Sequence, residues 1–384
     1  MQETVGAIFE QGKGTIKIPV PVYIRSCASV VSKKEGQGPL GELFDLVLED
    51  DKSGADTWEG AESALQREAL SLAIEKSGLK RENINLLFAG DLLGQSIASS
   101  FGNMNFDIPF VGLYGACSTS GLSIAMAAMM IAGGMTENAA CVTSSHYASA
   151  EKEFRFPLDY GNQRPMSATT TVTGSGAFIL SGQKSELDYA RVTAITIGKI
   201  VDLGIRDSMN MGACMAPAAA DTIERHLRDF QRKPEDYDRI ITGDLGMVGQ
   251  TALFDLLQKK GIDITAQHMD CGIEIYDESQ DAHSGGSGCG CAAVTLAALI
   301  LKKLKEGSYK RVLFVPTGAL LSKVSFNEGK SIPGVAHAVE FAGVLLRKGI
   351  SLALDCIHMD HAIRSRRCRT AVNRRTTRSI GHHH

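Results

Sequence analysis

No apolar run in the 384 residues is long enough to cross a bilayer. The longest, around Ile124 to Ala132, falls well short of the roughly 20 residues a spanning helix needs. The first ten residues lack the basic start and apolar h-region of a secretory signal, so a cytosolic chain is the expectation. An excess of positive charge is missing too. Charged residues make up 22% and the net charge is −3, which argues for a globular protein and against a dedicated nucleic-acid binder. A disulfide framework is also absent. The nine cysteines are odd in number and irregularly spaced, so they read as reduced thiols, most of them small core residues.

The C-terminal segment departs from the rest. From about Ile350 the apolar rhythm fades, and 364–379, "RSRRCRTAVNRRTTRS", is dense in arginine before the final histidines. Residues 350–384 therefore read as a disordered or non-native basic tail outside the fold.

What is present is an internal echo. "INLLFAGDLLGQ" (84–95) and "DRIITGDLGMVGQ" (238–250) share an apolar strand run, Gly-Asp-Leu and Gly-Gln, and each follows a helical segment (58–79 and 216–230). "YGACSTSGLSIAMAAMMIAGG" (114–134) has a partner beginning "GSGCGCAAVTLAALILKKLKEG" (286–307). Both run glycine-rich turn, cysteine, apolar helix of about four turns, then a buried strand. Strands alternating with helices imply an α/β fold with parallel strands and helices on both faces. Duplication implies two halves, 1–183 and 184–349, split at the polar stretch Ser181–Leu187. Asp91 and Asp244, both in Gly-Asp-Leu, read as caps of the turn after a strand.

Cys117 is expected at the turn between an apolar strand (108–114) and a helix starting near Ser118. The first N–H groups of a helix lack intrahelical partners, and with the macrodipole they stabilise an anion, whether a thiolate or a bound carboxylate. Gly115 and Ala116 leave room for a ligand, and Ser118, Thr119 and Ser120 extend the donor set. A metal site is the other reading of the cysteines. Cys271, His283, Cys289 and Cys291 with His268 are ligand types, but Cys-x-Cys lacks the usual Cys-x₂-Cys knuckle.

"GACSTSGLSIAMAAMMIAGG…AACVTSSH" resembles the nucleophile segment of the thiolase and ketoacyl-synthase superfamily. The resemblance implies a five-layered α/β/α/β/α fold of two duplicated halves, with Cys117 at the nucleophile position. In the ketoacyl synthases two histidines, or a histidine and an asparagine, assist the thiolate. Alignment of the motifs places Thr242 at the first histidine position, Ser287 or Gly286 at the second, and Cys289 near the Gly-Asn position, with His283 a few residues early. Neither Thr242 nor Ser287 can act as an imidazole does near neutral pH.

Blocks such as "GPLGELFD" (38–45), "TSSHYASAEKEFRFPLDYG" (143–161), "DLGIRDSMNMGACMAPAAADTI" (202–223) and "GGSGCGCAAV" (285–294) resemble one branch of that superfamily, the stage V sporulation protein AD family of endospore-forming bacteria. The resemblance runs from near the N-terminus to about Phe341. It implies non-enzymatic binding of dipicolinic acid, free or as its calcium chelate, during sporulation and germination. It also implies work alongside other stage V sporulation A-operon membrane proteins at the cytoplasmic side of the spore inner membrane, a homodimer, and no cofactor, metal or nucleic acid. The ligand-binding residues expected on this basis are Cys117, Ser118, Thr119, His146, Thr170, Ser287 and Cys289, with Arg155 and Arg164 as counter-charges. The alternative is an active acyltransferase in which Cys117 is acylated and His146 or His283 assists.

Overall fold

The computed structural model describes residues 9–93, 96–154 and 163–344; Arg155 and the basic tail lie outside them. Ten strands form the frame. The first five are β1 (Thr15–Val31), β2 (Leu86–Asp91), β3 (Phe110–Gly112), β4 (Asn138–Ser145) and β5 (Gly174–Ser181). The second five are β6 (Ala190–Thr196), β7 (Arg239–Thr242), β8 (His268–Asp270), β9 (Arg311–Val315) and β10 (Ala338–Gly343). Their spatial order is β3-β2-β4-β5-β1 in the first set and β8-β7-β9-β10-β6 in the second. Within each set the strands that come first and last in the chain pair antiparallel, and the three between them in the chain run parallel. The two sets therefore have one topology, written twice. They meet where β1 pairs antiparallel with β6, so hydrogen bonding is continuous from one set to the other.

The two strands nearest the middle of the first set, β4 and β5, are buried along their whole length. That is the pattern of strands covered on both faces. One cover is α1 (Trp58–Ser77), which starts at Thr57, whose hydroxyl accepts from the Gly60 N–H, and ends at Gly78 in the left-handed region (φ 68°). The other is α2 (Thr119–Ala132), fourteen residues without a charged side chain and buried on most of its surface. A helix apolar all round belongs in an interior. Its counterpart in the second half, α3 (Cys289–Thr295), continues through a π turn, Leu296–Ile300, into Leu301–Lys305.

The two interior helices pack on each other and on the sheets of both halves. Close approach depends on small residues. A Cβ on Gly290 would come within 2.4 Å of the Gly174 carbonyl oxygen, and one on Gly176 within 2.6 Å of the Ala293 Cβ. Because α2 and α3 bury against both sheets, the halves form one compact unit. The layers run helix, sheet, helix pair, sheet, helix, the five-layered α/β/α/β/α arrangement the motifs implied.

Candidate functional site

Where β3 ends, the chain turns through Gly115 and a 3-10 turn, Ala116–Ser118, into α2. Ala116 is held at φ 49°, a left-handed backbone that non-glycine residues rarely adopt. The turn is braced locally. The Ser118 hydroxyl donates to the Gly115 carbonyl (2.6 Å), and the Thr119 hydroxyl donates to the Ala116 carbonyl (2.6 Å) while accepting from the Gly115 N–H (3.0 Å). Beneath it passes the short strand Thr317–Ala319, at Gly318, where a Cβ would lie 2.2 Å from the Gly115 carbonyl oxygen. The strained turn presents Cys117 to a narrow cleft and leaves Ser118 and Thr119 occupied with the backbone.

Both halves line the cleft. Tyr114, Cys117, Glu151 and Thr171 come from the first, Met211, Ser287 and Leu321 from the second. The open space between them is about 30 Å³, room for on the order of two waters. Among the described residues no histidine, lysine or arginine lines it.

Under the cleft, Cys117 lies beside the carboxyl of Asp244. Asp244 is fully buried; it also accepts from the Gly288 N–H (2.9 Å) and the Thr317 hydroxyl (3.1 Å). Burial pushes the Asp244 carboxyl up to about 7, against the pull of these hydrogen bonds. Burial, reinforced by the Asp244 charge, pushes the Cys117 thiol well above its ordinary value. The site therefore holds a neutral thiol beside a carboxyl that titrates near neutrality. The thiolate expected from the helix N-terminus alone is outweighed by desolvation and the neighbouring acid.

Two positions read from the motifs need correction. Thr242 does not face Cys117: its hydroxyl donates to Asp270 (2.6 Å) and bonds the His268 Nε2 (3.0 Å). Asp244, two residues on, faces it instead. Nor does Asp244 cap the turn after β7, because Asp270 does, accepting from the Leu245 (2.9 Å) and Gly246 (3.1 Å) N–H groups. Asp91 does serve its local turn, accepting from the Ser99 N–H (3.2 Å) and hydroxyl (2.9 Å).

The other expected residues divide. Ser287 lines the cleft, and its strand partner is Thr171. Cys289 lies just beneath, packed with Cys117, Leu92 and Ala150, its thiol donating to the Ser144 carbonyl (2.8 Å). Thr170 points away: its hydroxyl accepts from Arg164 (3.1 Å), while its neighbours Thr169 and Thr171 line the space. Arg164 lies over the Tyr147 ring, 5.9 Å to the centroid, and is not a lining residue. His146 is buried but bonds the Asp51 carbonyl (2.8 Å) through Nε2 and stacks near Trp58, and burial lowers its pKa. His283 bonds the Pro165 carbonyl (2.9 Å). Among the described residues no three of the ligand types gather as a metal site.

The motifs give no sign of two further buried groups nearby. His337 accepts from the Gly198 N–H (3.2 Å) behind the Cys117 turn, and burial lowers its pKa to about 4. Glu62 accepts from the hydroxyls of Ser144 (2.8 Å) and Ser149 (3.0 Å), and burial, with the Asp91 charge, raises its pKa to about 7. Both owe their place to long-range packing, which leaves no local pattern.

Comparison with known proteins gives a consistent picture. The family described as Stage V sporulation protein AD (SpoVAD) matches residues 12–342. The Stage V sporulation protein AD of Bacillus subtilis (strain 168) is 43% identical over 330 residues, which is 86% of this chain and 97% of that protein. Among solved structures, the 3-oxoacyl-[acyl-carrier-protein] synthase III of Aquifex aeolicus VF5 superposes with a TM-score of 0.51 at 15% identity, covering 84% of this chain and 99% of that one. Human mitochondrial 3-ketoacyl-CoA thiolase gives 0.52 at 11% identity, covering 85% and 99%. At these identities the two enzymes share the fold with this chain, and function is not carried over.

Proposed function

The chain belongs to the stage V sporulation protein AD family, and from that premise we propose that it is a non-catalytic receptor for dipicolinate, pyridine-2,6-dicarboxylate, serving the spore's uptake of this dianion and its movement at germination. The observation that carries the reading is the pairing of Cys117 with Asp244. A protonated thiol is a poor nucleophile, and among the described residues no imidazole lines the cleft to take its proton. A carboxyl with a pKa of about 7 is, in its neutral form, a donor that can share its proton with a ligand carboxylate. The hydroxyls of Thr171 and Ser287 offer further donors along the same wall. A flat ring with two carboxylates is larger than the present space, so binding requires outward movement of side chains such as Met211 and Leu321.

The receptor works at the cytoplasmic side of the spore inner membrane, held there by membrane proteins of the same operon. In keeping with a peripheral role, no helix among the described residues is long and apolar enough to cross a membrane. The receptor acts as a homodimer. The support is the open edge at β3, where Phe110 and the nearby Phe101 and Met104 are exposed.

Titration calorimetry with dipicolinate, with isophthalate as a control lacking the ring nitrogen, tests the reading. Binding of dipicolinate that is weakened by Cys117→Ala supports it, and absence of heat with both compounds overturns it. A second reading rests on the strained backbone at Ala116, which resembles a turn built to present a nucleophile. On that reading Cys117 is acylated, and a mass increase on Cys117 after incubation with acyl-CoA would establish it.

A further inference from the structure

A second cavity lies away from Cys117, at the seam between the halves. The sequence "KIPVPV" (17–22) forms one wall. Pro19 and Pro21 have no N–H to give, and the ladder between β1 and β6 is interrupted between Lys17 and Val22. The gap opens a space of about 740 Å³, within the roughly 300–1,000 Å³ of small-molecule sites. Its lining includes Lys17, Arg191, Arg232 and Arg311 against Asp229 and Glu340, four cations to two carboxylates.

Glu340 is already committed. Fully buried, it accepts from Thr193 Oγ1 (2.6 Å), Tyr237 Oη (2.8 Å) and Arg232 (3.2 Å), and lies 3.6 Å from the Arg311 Nε. It holds Arg232 by a hydrogen bond and draws Arg311 near, whose Nε has no hydrogen-bond partner among the described residues, without neutralising the mouth. Lys17 and Arg191 are exposed and have no partner among the described residues. A cluster of cations in a concave space raises the local concentration of anions. Guanidinium groups held by a buried acid are pre-organised for bidentate contact with carboxylate or phosphate. We propose that this cavity is a binding site for a small polyanion carrying two or more carboxylate or phosphate charges, separate from the Cys117 cleft.

Calorimetry on the full chain at low salt, with inorganic pyrophosphate and dipicolinate titrated separately, tests the proposal. The variant is Lys17→Gln with Arg191→Gln, two exposed side chains whose loss leaves the Glu340 cluster intact. Pyrophosphate binding weakened at least tenfold in the double variant supports the site. Failure of pyrophosphate to bind, or equal binding by wild type and variant, overturns it. The dipicolinate arm separates the sources. Heat lost in the double variant assigns dipicolinate to this cavity and supports the proposal. Heat lost only in Cys117→Ala assigns dipicolinate to the cleft and limits this cavity to the phosphate chemistry, which the pyrophosphate result then upholds or sinks. Pyrophosphate binding without any dipicolinate binding overturns the receptor reading and leaves this site standing.

Discussion

The thiol of Cys117 and the carboxyl of Asp244 are neighbours at a buried position, where desolvation favours the protonated form of each and the acid's charge tightens the thiol's hold further. The partnership joins the start of the interior helix of one half to the end of a strand in the other. Two measurable properties follow. Cys117 should alkylate with iodoacetamide at pH 7.5 at least tenfold more slowly than a free cysteine, read by peptide mass spectrometry. Asp244→Asn should raise that rate by removing the neighbouring charge. Affinity for dipicolinate should increase as pH falls from 8 to 6, because Asp244 gains its proton near 7 while ordinary carboxylates remain ionised. The Asn variant should lose this dependence, and a pH-independent wild type would count against the role given to Asp244.

Glu340 should stabilise the fold at neutral pH. Burial alone would raise its pKa, but the hydrogen bonds from His226 and Thr193 and the nearby charges hold it down at about 2. A carboxyl depressed in the folded state contributes stability above its unfolded pKa, near 4.5, and loses it as pH falls toward 2. Glu340→Gln should cost about 3 kcal/mol at pH 7, since each tenfold gain in acidity on folding is worth roughly 1.4 kcal/mol. The gap between variant and wild type should close by pH 2 to 3 in urea titrations.

Glu62 should behave in the opposite sense. Its folded pKa is raised to about 7, so its contribution is fully present below its unfolded pKa and is lost as pH rises through 7. Glu62→Gln should gain on wild type between pH 5 and pH 8, by up to about 3 kcal/mol. A constant difference across that range would show that Glu62 does not take up a proton in the folded protein.

The edge at β3 should carry self-association. Phe101 and Met104 are 64% and 66% exposed, large for apolar side chains beside an open strand edge. Phe101→Glu with Met104→Glu should shift the mass in light scattering from twice 41.1 kDa to the single-chain value. A wild type that runs as a monomer would remove the dimer from the proposal.

The frame was legible in the sequence because it was written twice. The Gly-Asp-Leu segments and the two cysteine-headed apolar helices mark equivalent places, and the strands around them repeat one order. The site was legible only in part. Cys117 and Ser287 could be found because glycine-rich turns flag them. Motif alignment points to Thr242, but that residue is still on the strand and bonds Asp270, and the neighbour of Cys117 is Asp244, two residues past the strand end. The turn-capping work expected of Asp244 belongs to Asp270, a residue from the next strand. His146 has the right chemistry for a ligand, yet its partners Asp51 and Trp58 come from a distant loop and helix. The cations of the seam cavity are likewise scattered along the chain, and no spacing rule would assemble them.

The repeated topology gives Cys117 and Cys289 matching addresses, each at the head of an interior helix. Their fates differ. Cys289 is sealed off and bonded to the Ser144 carbonyl, whereas Cys117 lines the cleft. A symmetric scaffold has thus been made asymmetric at its middle. One copy serves as filling while the other meets what enters, and because the halves share an interior, a change at either cysteine is felt by both.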